Sequence, residues 1–275
     1  MISNILRVFL YALAAAYAVT GAVLFFAPTW ASGHFAWRVS SFVAMTIGGW
    51  LLGLAWVALT AARRASWPIV VCPVLFLALF GIFETAVIIS FRDRLTLSSP
   101  LAWCYVVTIL ATSAFAVVAL ADAWRRWPAV PAAGPLFGSV TRFFVVAFII
   151  LVGVIGLYGL LAVPGMPALD RGVFPEPLTP FTLRAFGAFY LAIAIALIPL
   201  LWAHGRNTFL THAYGSYSLI VLITAAALVF IGQFDFAARP TQAFYIGVYL
   251  AVGAVVGAYL VRYGTGAAGK TQAIG

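Results

Sequence analysis

The chain has 275 residues, 65% of them hydrophobic and only 8% charged, and its 15 basic and 6 acidic residues give a net charge of +9. Soluble domains carry roughly 25% charged residues, and a water-soluble globule of this size could not cover so much apolar surface. The basic residues sit mostly at the ends of apolar runs and form no continuous groove. That excludes nucleic acid as a partner and leaves the lipid bilayer as the solvent.

Eight apolar runs approach the ~20 residues that a membrane-crossing helix needs. They cover residues 7–27, 39–61, 68–91, 100–123, 143–163, 184–203, 212–234 and 240–262. In lipid the backbone must satisfy its own hydrogen bonds, so uninterrupted runs predict helices. The alternation of barrel strands is missing. The first run reads as a retained helix. Its apolar core from Val8 to Ala27 exceeds the ~7–15 residues of a signal sequence, and Pro28 spoils a cleavage site after Ala27.

The third run contains Glu84, with no other charge between Pro68 and Phe91. Between the fourth and fifth runs lies RRWPAVPAAGPLFGSVTR, residues 125–142, a proline- and arginine-containing connector. The loop after the fifth run, PGMPALDRGVFPEPLTPFTLR, carries five prolines and is ten residues longer than the loop after the first, PTWASGHFAWR. Proline restricts the chain and removes donors, so the longer loop reads as stiff rather than helical. Pro199 is expected to bend the sixth span.

Nine basic residues, from Arg7 and Arg63 to Lys270, fall on the side of the termini, and six, including Arg38, Arg92 and Arg239, on the other. The bias predicts cytoplasmic termini and a multi-pass cell-membrane protein. Trp30, Trp37 and Trp103 are expected at one interface, and Trp67, Trp124, Trp127 and Trp202 at the other.

The halves echo each other. Arg7 precedes span one and Pro28 closes it 21 residues on; Arg142 precedes span five and Pro164 closes it 22 residues on. Arg38 and Trp56 are 18 residues apart, as are Arg184 and Trp202. Pro100 and Pro240 each stand five residues before a tyrosine, Tyr105 and Tyr245. These matches predict an all-α integral membrane fold of eight transmembrane helices. The helices would form two four-helix bundles related by a pseudo-twofold along the membrane normal. The expected division is 1–124, a linker 125–142, and 143–275. Small residues at helical spacing predict packing seams: Ala14, Ala18 and Ala22; Gly49 and Gly53; Ala188, Ala192 and Ala196; Gly253 and Gly257.

An initial arginine, a proline ending the first helix and R-x-x-G opening the second resemble the DoxX-like small membrane proteins. RAFG, 184–187, fits that pattern, whereas RVSS, 38–41, departs from it. The resemblance would span nearly the whole chain as two tandem copies. It implies a helical bundle, often found beside respiratory or thiol-redox systems, and supplies no catalytic residue.

Little chemistry is on offer. His34, His204 and His212 lie in or beside predicted loops, with His204 and His212 flanking HGRNTFLTH as a wet interfacial pair. No metal site or cofactor is expected. Cys72 and Cys104 fall about 20 Å apart along the membrane normal, beyond disulfide reach, and read as buried packing residues. Glu84 is expected to pair with Arg38 across spans two and three, or else to form a proton or cation site. The second copy offers Arg184, with Gln233 and Asp235 as imperfect counterparts of the acid. Three functions fit: a non-enzymatic component of a membrane assembly, respiratory or photosynthetic, with protein partners; a transporter or binder of a small hydrophobic or cationic molecule, using the cleft between copies and Glu84; or a membrane enzyme acting on lipid or quinone.

Overall fold

The computed structural model describes residues 1–126, 134–135, 138–165, 172–202 and 205–268, with side chains to residue 264. Half of the 125–142 connector, Trp127 included, lies outside the described residues, as do Asp170, Arg171, His204 and Lys270.

Among the described residues the fold is all-α. Eight helices are long and apolar enough to cross a membrane. They are α1 (Asn4–Phe26), α3 (Ser41–Arg64), α4 (Trp67–Ser90), α5 (Pro100–Arg126), α6 (Ser139–Leu160), α7 (Pro180–Leu197), α8 (Arg206–Val229) and α9 (Thr241–Ala268), with a short α2 (Pro28–Ser32) after the first. Side-chain caps fix several starts. The hydroxyls of Ser3, Ser40 and Thr179 accept from the backbone N–H of Leu6, Val43 and Thr182 at 3.1–3.2 Å. Each satisfies a donor that a helix start leaves open. Pro28 does more than end α1: it opens α2, where its missing N–H costs nothing. Before Pro199 the α-helix stops at Leu197 and tightens into a 3₁₀ turn, Ile198–Leu201.

Helix α1 packs along α3, α4 along α5, α6 along α7, and α8 along α9. The two halves are joined by α3 on α8, α4 on α7, and α4 on α8. At the face of the termini the Asp122 carboxylate gathers three elements. Its Oδ2 accepts from the Ser3 N–H at 3.3 Å and the Trp67 indole N–H at 2.8 Å, and Oδ1 accepts from Arg126 at 3.2 Å. The sequence reading had passed over this acid. At the opposite face Glu176 accepts from the Ser40 hydroxyl. Burial pushes this loop carboxyl above its ordinary range, partly offset by that bond.

Glycines let backbones approach where lipid offers no hydrophobic drive. A Cβ on Gly48 would lie 2.5 Å from the Phe25 nitrogen, and one on Gly187 2.1 Å from the Leu160 nitrogen. The α1/α3 and α6/α7 contacts therefore rest on glycine. The predicted seam of Gly49 and Gly53 meets Leu222 and Leu219 of α8, and Gly257 meets the Tyr217 ring. Trp50 of α3 is buried between the halves. It stacks on Phe189 of α7 at 4.3 Å and 7°, while Phe189 also meets Phe76 and Phe80 of α4.

The tryptophans expected at the two interfaces differ in burial. Trp30, Trp103, Trp124 and Trp202 are exposed, but Trp37 and Trp67 are buried. Each has found a polar partner for its N–H, Thr182 for Trp37 and Asp122 for Trp67, which permits burial. Cys72 is buried as expected, whereas Cys104 is exposed on α5.

Candidate functional site

The first four-helix unit is closed: besides the α1/α3 and α4/α5 pairs, α1 packs on α5 and α3 on α4. Inside it Glu84 is fully buried. Its Oε1 accepts from the Tyr105 hydroxyl at 2.8 Å, and its Oε2 has no hydrogen-bond partner. The Tyr17 and Thr112 hydroxyls, 2.6 Å apart, continue a polar thread between α1 and α5.

The expected Glu84–Arg38 pair is not formed. Arg38 is exposed at the end of the loop before α3, while the neighbouring Phe35 and Trp37 turn inward and cover the Tyr105 ring at 4.8 and 5.4 Å. Aromatic burial fills the path the guanidinium would have taken. Arg184 also serves otherwise. Its Nε donates to the Ala162 carbonyl at 2.8 Å, just past the end of α6, and its guanidinium lies 5.3 Å over the Phe91 ring. Such a cation suits a helix C-terminus. Gln233 is exposed, and the exposed Asp235 accepts from the Ala238 N–H at 2.9 Å.

Among the described residues no cation pairs with Glu84, and what the fold uses there is an acceptor for Tyr105. Glu84→Gln keeps that acceptor and is expected to change stability by less than about 1 kcal/mol. Glu84→Leu strands the Tyr105 hydroxyl and is expected to cost about 1–3 kcal/mol. Reversible unfolding in mixed micelles measures both; equal losses would show that the Tyr105 bond is not what holds this site.

The second unit is built differently. Helix α6 packs on α7 and α8 on α9, but neither α6 with α9 nor α7 with α8 forms an extended contact. The space between them is a cavity of about 810 Å³ walled by all four helices and by the loop at Gly172–Phe174. Its size suits small-molecule sites, which run ~300–1,000 Å³. Among the described residues the wall contains no Asp, Glu, Lys or Arg. Glu84 is not part of this wall, and the cavity lies among α6, α7, α8 and α9 rather than in a cleft between the two halves.

A few polar groups break the apolar wall. The Tyr190 hydroxyl of α7 and the Tyr249 hydroxyl of α9 hydrogen-bond to each other across it. His212 of α8, 4% exposed, lines the wall with its Nδ1 unpartnered. Ser216, one turn on, donates to the His212 carbonyl at 2.7 Å and keeps its acceptor capacity.

No family model matches this chain, and neither a curated protein nor a solved structure is significantly similar to it.

The sequence reading placed His212 beside a loop. It stands instead two turns into α8, buried against the ring of Phe76 at 6.2 Å. A signal was available: Thr208, His212 and Ser216 recur at four-residue spacing along α8, and Tyr245 and Tyr249 do so on α9. Among the described residues no cluster of three metal-binding side chains occurs.

Proposed function

We propose that this polytopic membrane protein binds a lipophilic small molecule inside its second four-helix unit. The molecule enters sideways from the bilayer between α6 and α9. The observation that carries this reading is the 810 Å³ cavity, whose wall is apolar apart from a few tyrosine, serine, threonine and histidine side chains. The lack of an acidic side chain among the described residues of the wall argues against a cationic ligand. The helix pairing supports a duplicated DoxX-like unit, in which one copy has packed shut and the other has kept its interior. We place the termini in the cytoplasm and the chain in the cell membrane from its arginine bias.

The test is organic extraction and mass spectrometry of protein purified in mild detergent, comparing the wild type with Val252→Trp, which fills the cavity from α9. A lipophile enriched over bulk lipid in the wild type and lost from a folded variant is expected. No enrichment, or enrichment unchanged by the tryptophan, overturns the reading.

A second reading, a subunit of a larger membrane assembly, rests on α9. Only 6% of its apolar window is buried, the lowest share of the eight spans. A stoichiometric partner chain that crosslinks to α9 in mild detergent would favour it; a protein that always runs alone would exclude it.

A further inference from the structure

Building on the cavity-binding reading, we infer that the ligand is an anionic amphiphile with a phosphate-ester headgroup, seated at Arg206, Arg262 and Tyr259 at the face of the termini, and a hydrocarbon chain lying along α6 inside the second unit. The place for the chain comes from the wall. Along α6 it extends from Thr141 to Gly159, about 27 Å at ~1.5 Å per residue. Between those two residues the α6 side of the wall is aliphatic and aromatic. A compact solute would leave most of this length empty. The unpartnered His212 Nδ1 and Tyr245 hydroxyl are enclosed by protein, so neither seats a headgroup. The Tyr245 ring instead packs its apolar body beside the Phe174 ring, 5.4 Å away.

The charge of the headgroup comes from the end of the cavity at the face of the termini. Tyr259 of α9 lines the wall there, and its side chain interacts with the Arg206 guanidinium and with Thr141, where the α6 wall begins. Two guanidiniums converge one turn further on: Arg206 lies 4.6 Å and Arg262 5.3 Å from the centre of the Tyr263 ring. Like charges brought together in this way repel. Among the described residues ion pairs form at Arg92–Asp93 and Arg126–Asp122, so neither Arg206 nor Arg262 has an acidic partner there. Asp122, the acid described at this face, is taken up by Ser3, Trp67 and Arg126 of the first half. An anion from the bilayer completes the cluster. Arg206, Tyr259 and Thr141 are each partly exposed, so a headgroup reaches them.

Phosphate suits this cluster better than a carboxylate. A phosphate monoester carries about −1.5 to −2 charges near pH 7, which matches two guanidiniums. A guanidinium fork bonds phosphate oxygens in pairs, and the Tyr259 and Thr141 hydroxyls add donors. Basic pockets between transmembrane helices bind anionic lipid headgroups. The cavity supplies what contact with bulk lipid lacks, an apolar channel that begins at the cluster itself.

Displacement of radiolabelled oleoyl lysophosphatidate from the full chain in detergent provides the test. The competitors are unlabelled lysophosphatidate, oleate, monoolein, which has the same chain and no charge, and glycerol phosphate, the headgroup alone. Lysophosphatidate is expected to compete about tenfold better than monoolein, the equivalent of one charge-assisted hydrogen bond. It should also outcompete oleate, and glycerol phosphate should not compete. Arg206→Gln should bring lysophosphatidate down to the level of monoolein, while Arg206→Lys, which keeps the charge, should retain part of the difference. Arg63→Gln, which removes an exposed cation at the same face of the first half, should have no effect. Equal competition by monoolein, with Arg206→Gln silent, overturns headgroup recognition but leaves the cavity as a lipophile site. Equal competition by oleate overturns the phosphate class. Equal losses from Arg206→Gln and Arg63→Gln reduce the effect to surface attraction and overturn the site. Competition by glycerol phosphate overturns the place given to the chain. If no lipid binds and no lipophile copurifies, the underlying reading fails with it.

Discussion

Trp50→Ala is expected to destabilise the folded protein by about 3 kcal/mol and to loosen the junction between its halves. Truncating a buried tryptophan costs ~3–5 kcal/mol in aqueous cores. The low end applies here because the unfolded chain remains in lipid, where what is lost is chiefly van der Waals packing. The loss is concentrated because Trp50 meets both Phe189, at 4.3 Å, and Phe186, at 4.4 Å. Phe189 in turn contacts α4 through Phe76 and Phe80. One truncation therefore opens the meeting place of α3, α4 and α7. Unfolding in mixed micelles measures the loss, with the 74%-exposed Trp202→Ala as a control expected to change stability by less than about 0.5 kcal/mol. Equal effects at the two positions would show that Trp50 is not a junction.

Gly187→Leu is expected to cost at least about 3 kcal/mol, the upper part of the range for overpacking. The first atom of any side chain at this position would sit 2.1 Å from the Leu160 nitrogen and 2.5 Å from the Gly159 carbonyl carbon. Both are backbone, so no rotamer change relieves the clash; α6 must move away from α7. The same substitution at Gly247 of α9, where nothing lies within 4 Å, should fold normally. Limited proteolysis and thermal melting in detergent distinguish the two variants. A Gly187→Leu protein as stable as Gly247→Leu would contradict the close approach of α6 and α7.

The eight spans were legible because hydropathy is local: a run of about twenty apolar residues has few other uses. The packing seam at Gly49 and Gly53 was legible for the same reason. Partner choice was not local. Glu84 and Arg38 stood at plausible depths, but whether an arginine reaches inward depends on which side chains compete for that space. Here Phe35 and Trp37 fill it. The cavity was out of reach in a different way, because it arises from a contact that α6 and α9 do not make. His212 could be found by its spacing from Thr208 and Ser216, yet its adjacency to a predicted turn pointed toward water.

The burial of α3 has a consequence for biosynthesis. It is the most buried span, and its glycine face is covered by α8. Translation proceeds at ~5–20 residues per second, so α8, whose start lies 165 residues after that of α3, follows it roughly 8–33 s later. Throughout that interval the face carrying Gly49, Trp50 and Gly53 must rest against lipid or a protein that shields it. Folding of the first half is thus complete only when the second half has been made, and a ribosome stalled in α6 or α7 leaves an exposed seam for the quality-control machinery to read.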